Sequence, residues 1–206
     1  MFFAFDGVDG AGKSTQIARF VGWLEAEGRA VTLCRDPGGT ELGEAIRELL
    51  LGHRHASMSL PTEALLYMAA RAQLVAEVIK PALAAGRVVV SERYLLSNVF
   101  YQGHAGGLEP AALWEIGRTA TGGLVPDITF VLDLPAEVAF QRLGGQTDRI
   151  ESRGVQFQEH VRAGFLAEAK RDPARIKIID AQGSADEVTA RVLAEAAARI
   201  SGSGSV

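Results

Sequence analysis

Cysteine is almost absent from the sequence: Cys34 is the only one among 206 residues. A single cysteine excludes an intrachain disulfide and a zinc site built from several thiolates. Cys34 lies in the apolar run 30–34, where we expect a plain buried thiol. No apolar stretch comes near the roughly 20 residues of a membrane span, and the N-terminus lacks the basic segment of a signal peptide. The sequence therefore predicts no membrane segment, and a cytoplasmic location fits these features.

An excess of positive charge is also missing. Lys and Arg total 21 against 25 Asp and Glu, a net charge of −4, which argues against a protein that grips long nucleic acid by bulk electrostatics. A small anionic ligand held by a few arginines remains compatible with this charge. With 48% hydrophobic and 22% charged residues, the chain is typical of one globular domain. We predict a single domain over 1–200 and a disordered Gly/Ser-rich tail over 201–206.

Short apolar runs alternate with helical patterns along the whole chain. Strands are predicted at 2–5, 30–34, 87–91, 127–134 and 176–180. Helices are predicted from 13 to about 28, over 41–51, 62–83, 93–103 and 109–120, from 137, and over 155–170 and 186–200. In the long helix 62–83, the apolar face is expected to carry Leu65, Met68, Ala72, Val75 and Ile79. This alternation predicts an α/β domain with a mostly parallel sheet, whose ligand site lies beyond the carboxyl ends of the strands.

A complete G-x-x-x-x-G-K-[ST] motif follows the first strand and precedes a helix. In such a loop, glycines let successive backbone N–H groups converge on phosphate oxygens, and the helix adds the positive end of its dipole. Lys13 is expected to reach the β- and γ-phosphates from a solvent-facing loop, and the Ser14 hydroxyl to bind Mg²⁺. The predicted ATP-binding residues are Gly7, Val8, Asp9, Gly10, Ala11, Gly12, Lys13, Ser14 and Thr15.

This motif is shared by switch GTPases, motors and small-molecule kinases. A GTPase would need an N-K-x-D motif to read its base, and the sequence has none. Arg47, Arg71 and Arg93 each follow or flank a predicted strand end, and each could bind a monophosphate through its planar, bidentate guanidinium. A second anion site in a small chain favours a kinase.

Three further segments carry a resemblance. Arg35–Thr40 reads RDPGGT, Glu92–Tyr94 reads ERY and precedes Ser97 and Tyr101–Gly103, and Asp148–Glu151 reads DRIE. With the nucleotide loop, these motifs resemble those of bacterial thymidylate kinases, over about residues 2–200. The resemblance implies a P-loop NTPase three-layer sandwich with five strands and a short lid. It also implies a homodimer that transfers the γ-phosphoryl of Mg·ATP to dTMP.

The resemblance also implies residue roles. Arg47 and Arg93 would contact the acceptor phosphate, Arg71 would approach the thymine, and Tyr67 would stack on it. Tyr101 would crowd the 2′ side of the sugar. The implied catalytic residues are Lys13, Arg93, Arg149 and Asp9, and the implied metal residues are Ser14 and Glu92. The implied dTMP-binding residues are Asp9, Asp36, Arg47, Tyr67, Arg71, Arg93, Asn98, Tyr101 and Gln102.

The chain departs from the family pattern at two acidic positions. Asp36 stands where Glu is usual and Glu92 where Asp is usual, so the charge is kept and the reach changes by one methylene. Gly10 occupies the place where some members carry an arginine, which favours a lid, about 142–154, that supplies the cation. Arg142, Arg149 and Arg153 are candidates, and Arg149 matches the motif best. Two other hypotheses remain at this point: a kinase for a different small acceptor, and a nucleotide-binding regulatory protein without catalysis.

Overall fold

The computed structural model describes residues 1–52, 57–142 and 154–202. Within these ranges five strands form one parallel sheet. The strands are β1 (Phe2–Gly7), β2 (Val31–Arg35), β3 (Val88–Glu92), β4 (Ile128–Asp133) and β5 (Ile176–Asp180). Their order is β2-β3-β1-β4-β5, with all neighbouring pairs parallel. The predicted parallel α/β sheet is therefore confirmed, with each strand within two residues of its expected bounds.

Helices cover both faces of this sheet. They are α1 (Lys13–Ala26), α2 (Glu41–Leu51), α3 (Leu60–Leu74), α4 (Lys80–Ala84), α5 (Leu95–Asn98), α6 (Pro110–Thr121), α7 (Ala136–Arg142), α8 (Val155–Arg171) and α9 (Ala185–Gly202). Phe3 and Phe5 of β1 contact Phe20 of α1, with ring centroids 5.1 and 5.4 Å apart. Phe2 contacts Tyr94, just before α5, at 5.0 Å. Because successive strand residues point to opposite faces, these contacts define three layers, and both faces of β1 are buried.

The predicted helix 62–83 forms, and Met68, Val75 and Ile79 of its expected apolar face are buried. A π-helical turn, Val75–Ile79, joins α3 to α4. Leu65 is 55% exposed, so the expected apolar face is wrong at this position. The buried side chains of α3 include Ala64, Met68, Arg71 and Leu74. Arg71 is buried as well, although it lies outside the expected apolar face. The periodicity of apolar residues cannot indicate the burial of a charged side chain.

Other boundaries follow the sequence closely. Cys34 is buried, as predicted. Helix α9 ends at Gly202, two residues beyond the predicted end of the domain at 200. Among the described residues, none of the helices is both long and apolar enough to cross a membrane.

Candidate active site

The loop between β1 and α1 is packed too tightly for side chains at two of its glycines. Gly7, Gly10 and Gly12 all have positive φ, at 131°, 82° and 95°. A Cβ at Gly7 would lie 2.6 Å from the carbonyl oxygen of Leu132, and one at Gly10 only 2.1 Å from that of Ala139. The backbone therefore curls against β4 and α7, with its N–H groups leading into the N-terminus of α1.

Lys13 lies inside this curl. Its Nζ donates to the carbonyl oxygens of Gly7 and Val8 at 3.2 and 3.0 Å, and to Asp9 Oδ1 at 3.3 Å. Lys13 is only 6% exposed, so the expectation of a solvent-facing lysine is wrong: the loop folds over its ammonium group. Burial, followed by the charge of Arg93, lowers the pKa of Lys13.

Two oxygen donors lie near the ends of neighbouring elements. Ser14 is exposed in the first turn of α1, and Glu92 is half-buried at the carboxyl end of β3. Among the described residues, no group of three or more His, Cys, Asp or Glu side chains could enclose a metal by itself. The two oxygen ligands that Ser14 and Glu92 offer suit Mg²⁺, which usually takes one or two protein ligands together with substrate phosphates and water.

Arg93 is directed toward the nucleotide loop by an unusual backbone conformation. Its φ is +63°, a left-handed conformation that non-glycine residues rarely adopt outside constrained sites. Its Nη1 donates to the Gly7 carbonyl at 3.2 Å and to Ser97 Oγ at 3.1 Å. Its Nη2 forms an ion pair with Asp9, and the guanidinium carbon lies 5.1 Å from the centre of the Tyr101 ring.

Asp9 is the carboxylate that Arg93 and Lys13 share. Its Oδ2 also accepts from the Tyr101 hydroxyl at 3.3 Å. Burial acts to raise the pKa of Asp9, but the charges of Arg93 and Lys13 outweigh burial and hold it well below the ordinary value. Asp9 is therefore ionised at neutral pH, between the loop and the adjoining cleft.

Asp6 is a site residue that the sequence analysis missed. It is fully buried at the end of β1, and its Oδ1 accepts from Ser97 Oγ at 2.5 Å and from the Gly7 N–H at 3.3 Å. Its Oδ2 has no hydrogen-bond partner among the described residues. Burial raises the pKa of Asp6 to about 6, with Arg93 acting in the opposite direction. The sequence does contain one signal for this role, because Asp6 is a carboxylate that directly follows the apolar run of the first strand.

A cleft of about 260 Å³ adjoins the loop on the acceptor side. All nine of the residues predicted to bind dTMP line it, and so does Glu92. These residues come from separate parts of the chain, and parallel topology brings them to one end of the sheet. The cleft is also lined by residues to which the sequence analysis gave no role: Arg35, Pro37, Leu51 and Ser97.

The inner wall of the cleft contains a buried ion pair. Arg71 Nε donates to Asp36 Oδ2 at 2.5 Å, and the two side chains are 1% and 0% exposed. Arg71 Nη2 also donates to the carbonyl of Tyr94 at 3.3 Å, whereas Asp36 Oδ1 has no partner within the part of the chain that the structure describes. Burial raises the pKa of Asp36, and the charge of Arg71 opposes the rise.

A chain of amides forms the neighbouring part of the wall. Asn98 Nδ2 donates to Gln102 Oε1 at 2.7 Å, and Gln102 Nε2 donates to Glu63 Oε1 at 2.8 Å. Asn98 and Gln102 are each 1% exposed. Asn98 Oδ1 has no partner in the described structure.

Of the remaining predicted residues, Arg47 and Tyr67 line the outer wall of the cleft. Arg47 reaches from α2, and its Nη1 donates to the Pro37 carbonyl at 2.9 Å. Tyr67 is half-buried on α3. Arg142 is exposed at the end of α7. Arg149 and Arg153 lie outside the described residues.

A phosphate-binding loop after the first strand of a parallel sheet, next to a cleft lined by arginines and amides, defines a P-loop kinase acting on a small anionic acceptor. Comparisons with known proteins narrow this class. The family model for thymidylate kinase matches residues 5–192. A thymidylate kinase of Rhodopirellula baltica is 46% identical over 189 residues, 92% of this chain and 77% of the relative. One from Cereibacter sphaeroides is 47% identical over 200 residues, 94% of this chain and 92% of the relative.

A solved structure agrees with the sequence relatives. The crystal structure of thymidylate kinase from Ehrlichia chaffeensis has a TM-score of 0.79 and 28% identity, covering 94% of this chain and 97% of the other. The chain belongs to the thymidylate kinase family. It is an enzyme of the class that phosphorylates dTMP to dTDP with ATP, as the sequence predicted.

Proposed function

We propose that the cleft binds dTMP with its phosphate near Arg93 and Arg47 and its base near Arg71 and Asn98. The observation that carries this proposal is the convergence of all nine predicted residues on one cleft, which meets the nucleotide loop at Asp9. The cations at one end suit a phosphate, and the buried polar groups at the other suit a base edge. Asp9 would then orient the acceptor sugar.

The loop residues Gly7–Thr15 would hold ATP, with Lys13 at the β- and γ-phosphates. During transfer, an acceptor phosphate oxygen bonds to the γ-phosphorus while the bond to the leaving ADP oxygen breaks. Little covalent chemistry falls to the protein, so alignment and stabilisation of the spreading negative charge dominate. Lys13 and Arg93 lie on either side of Asp9, both bonded to it, and this cluster supports their assignment to that charge.

Mg²⁺ belongs to the proposal, with Ser14 and Glu92 as the residues that would hold it, directly or through water. When bound, the ion supplies charge neutralisation between the β- and γ-phosphates. The exposed hydroxyl of Ser14 and the half-buried carboxylate of Glu92 support this role.

The packing of Gly10 supports a cation supplied from the segment 142–154. A side chain at Gly10 would collide with the Ala139 backbone, so the nucleotide loop itself has no room for an arginine there. We assign that cation to Arg149, which would act mainly on the transition state.

Base selection would depend on hydrogen-bond chemistry at the inner wall. Arg71 has donors and no acceptor, which suits the O4 carbonyl of thymine and disfavours the amino group of cytosine. Tyr67 would stack on the base and Tyr101 would crowd the 2′ side of the sugar. The ring of Tyr101 is held beside Arg93, which supports a fixed position for it.

The proposal includes a homodimer and a cytoplasmic location. Leu65 on α3 and Ile116 on α6 are 55% and 40% exposed, and these two helices pack together. An apolar surface on adjacent helices supports an interface between two copies. A cytoplasmic location is compatible with ATP as the phosphoryl donor.

The test is steady-state ADP release with Mg·ATP and dTMP, dUMP, dCMP or dGMP as acceptor. We expect the highest kcat/KM for dTMP, a value about 10-fold lower for dUMP, which lacks only a methyl group, and about 5- to 150-fold lower for dCMP, which leaves buried groups unpaired. If kcat/KM for dCMP or dGMP equalled that for dTMP, the cleft would be a general nucleotide site and the proposed dTMP specificity would be wrong.

Lys13→Ala tests the catalytic role of the loop lysine, and Lys80→Ala, at an exposed lysine, is the matched control. Removing the ammonium group from the phosphate site should lower kcat about 100-fold or more, while Lys80→Ala should retain wild-type turnover. A Lys13→Ala enzyme with more than a tenth of wild-type turnover would reject the assigned role.

A further inference from the structure

Glu63 is a buried acid that lies behind the cleft. It is located in the first turn of α3 and is 0% exposed. It is absent from the residues that line the cleft, yet its Oε1 accepts a hydrogen bond from Gln102, which does line it. It has no role in the phosphoryl transfer described above.

The hydrogen bonds from Glu63 to the cleft have a direction. Glu63 Oε1 accepts from Gln102 Nε2 at 2.8 Å, so the amide nitrogen of Gln102 is turned toward Glu63. The oxygen of Gln102 then faces Asn98 and requires the nitrogen of that second amide, as the 2.7 Å bond from Asn98 Nδ2 shows. Asn98 is left with its oxygen, and this buried Oδ1 has no partner in the described structure.

We propose that Glu63 is a positioning residue that selects the acceptor base by fixing the orientation of the Asn98 amide through Gln102. The relay presents an acceptor to the base and withholds a donor. The N3 position of thymine carries a hydrogen and can donate to Asn98 Oδ1, whereas the N3 of cytosine has only a lone pair. This inference rests on the proposed placement of the base beside Asn98 and Arg71.

Arg71 and Asn98 then read complementary features of the same edge. Arg71 offers donors, suited to O4, and Asn98 offers an acceptor, suited to N3–H. Without Glu63, the two amides could turn over together at little cost, since amide oxygen and nitrogen have nearly the same size. Asn98 would then present its NH₂ group, which repels the N3–H of thymine and can donate a hydrogen bond to the N3 of cytosine. Arg71 cannot reverse its hydrogen bonds in this way, because its guanidinium has only donors and is held by the ion pair with Asp36.

The experiment replaces Glu63 by Gln, which keeps the size of the side chain and adds an NH₂ group that can donate a hydrogen bond to Gln102. The matched control is Glu168→Gln, because Glu168 is also a buried glutamate, on α8, where it pairs with Arg171 at 3.0 Å. The dissociation constants of dTMP and dCMP are measured by calorimetry without ATP, and kcat/KM is measured for both with Mg·ATP. We expect the dTMP-to-dCMP preference of Glu63→Gln to fall about 10-fold in both measurements, with kcat for dTMP within about twofold of wild type. Glu168→Gln should keep the wild-type preference.

A double-variant comparison separates positioning from a general structural role. In an Asn98→Ala background, Glu63→Gln should not lower the preference further, since the amide it orients is gone. An unchanged preference in Glu63→Gln, or an equal loss in the Asn98→Ala background, would overturn the inference. If Glu63→Gln does not fold, Gln102→Met interrupts the relay one step later, and the same two comparisons decide. A wild-type enzyme that fails to phosphorylate dTMP would instead refute the proposed function.

Discussion

Removing one partner of the ion pair between Arg71 and Asp36 should destabilise the protein more than removing both. The two side chains are 1% and 0% exposed and lie 2.5 Å apart. Arg71→Met leaves Asp36 buried with neither oxygen bonded to a described residue, because its Oδ1 already has no partner there. Asp36→Asn leaves a buried guanidinium opposite a neutral amide.

The size of the effect can be bounded from two sides. Removing one partner of a buried ion pair typically costs about 3–5 kcal/mol. In Arg71→Met, Asp36 can escape by binding a proton. From its ordinary pKa of 3.8, this costs roughly 5 kcal/mol at pH 7.5 and roughly 2 kcal/mol at pH 5.5. We therefore expect a loss of about 3–5 kcal/mol at pH 7.5 that shrinks as the pH falls, because the folded variant binds the proton more readily than the unfolded chain.

The assay is urea unfolding at pH 7.5 and 5.5, followed by Trp23 and Trp114 fluorescence. The Asp36→Asn/Arg71→Met double variant should recover at least about 2 kcal/mol relative to the sum of the single losses. Its kcat/KM for dTMP should nevertheless stay low, since no guanidinium is present to meet the base. A loss below about 1 kcal/mol in Arg71→Met, or purely additive effects, would refute the buried pair.

Two further predictions concern the nucleotide loop. Asp6 has a pKa raised from 3.8 to about 6 in the folded protein, so the wild type should gain about 3 kcal/mol of unfolding free energy relative to Asp6→Asn as the pH falls from 7.5 to 3.5; a difference independent of pH in urea titrations would contradict this. Gly10→Ala should lower the unfolding free energy by about 2 kcal/mol or more, because the new Cβ would combine a φ of +82° with a distance of 2.1 Å to the Ala139 backbone. The control is Gly28→Ala at an exposed position, where a Cβ meets nothing within 4 Å, and its loss in thermal unfolding should be smaller. An equal loss in both variants would show that positive φ alone is responsible.

Much of the fold and part of the candidate site could be predicted because their signals are local. The nucleotide loop is one run of consecutive residues, Gly7–Thr15, and its conformation follows from glycines at fixed spacing. Alternating apolar runs and helical patterns predicted the parallel sheet, and parallel strands bring their carboxyl ends to one edge. For this reason Asp36, Glu92 and Arg93, each close to the end of its strand, could be expected near the same cleft.

Other features depended on contacts between distant parts of the chain. Apolar spacing predicted the buried face of α3 only in part, since Leu65 of that face is exposed and Arg71 is buried. The partner of Arg71 is 35 residues away and the partner of Glu63 is 39 residues away. Such pairings have no pattern in a single sequence.

By itself, the sequence determined the class of site and the chemical groups that it contains, because residue types and short-range spacing carry that information. Only the tertiary structure decided how those groups are charged, paired and oriented. Lys13 and Asp6 illustrate the difference: Lys13 lies within the nucleotide-loop motif and Asp6 directly precedes it, and burial shifts the pKa values of both. Desolvation and hydrogen-bond direction arise when helices and strands close over a group, so they exist only in the folded chain.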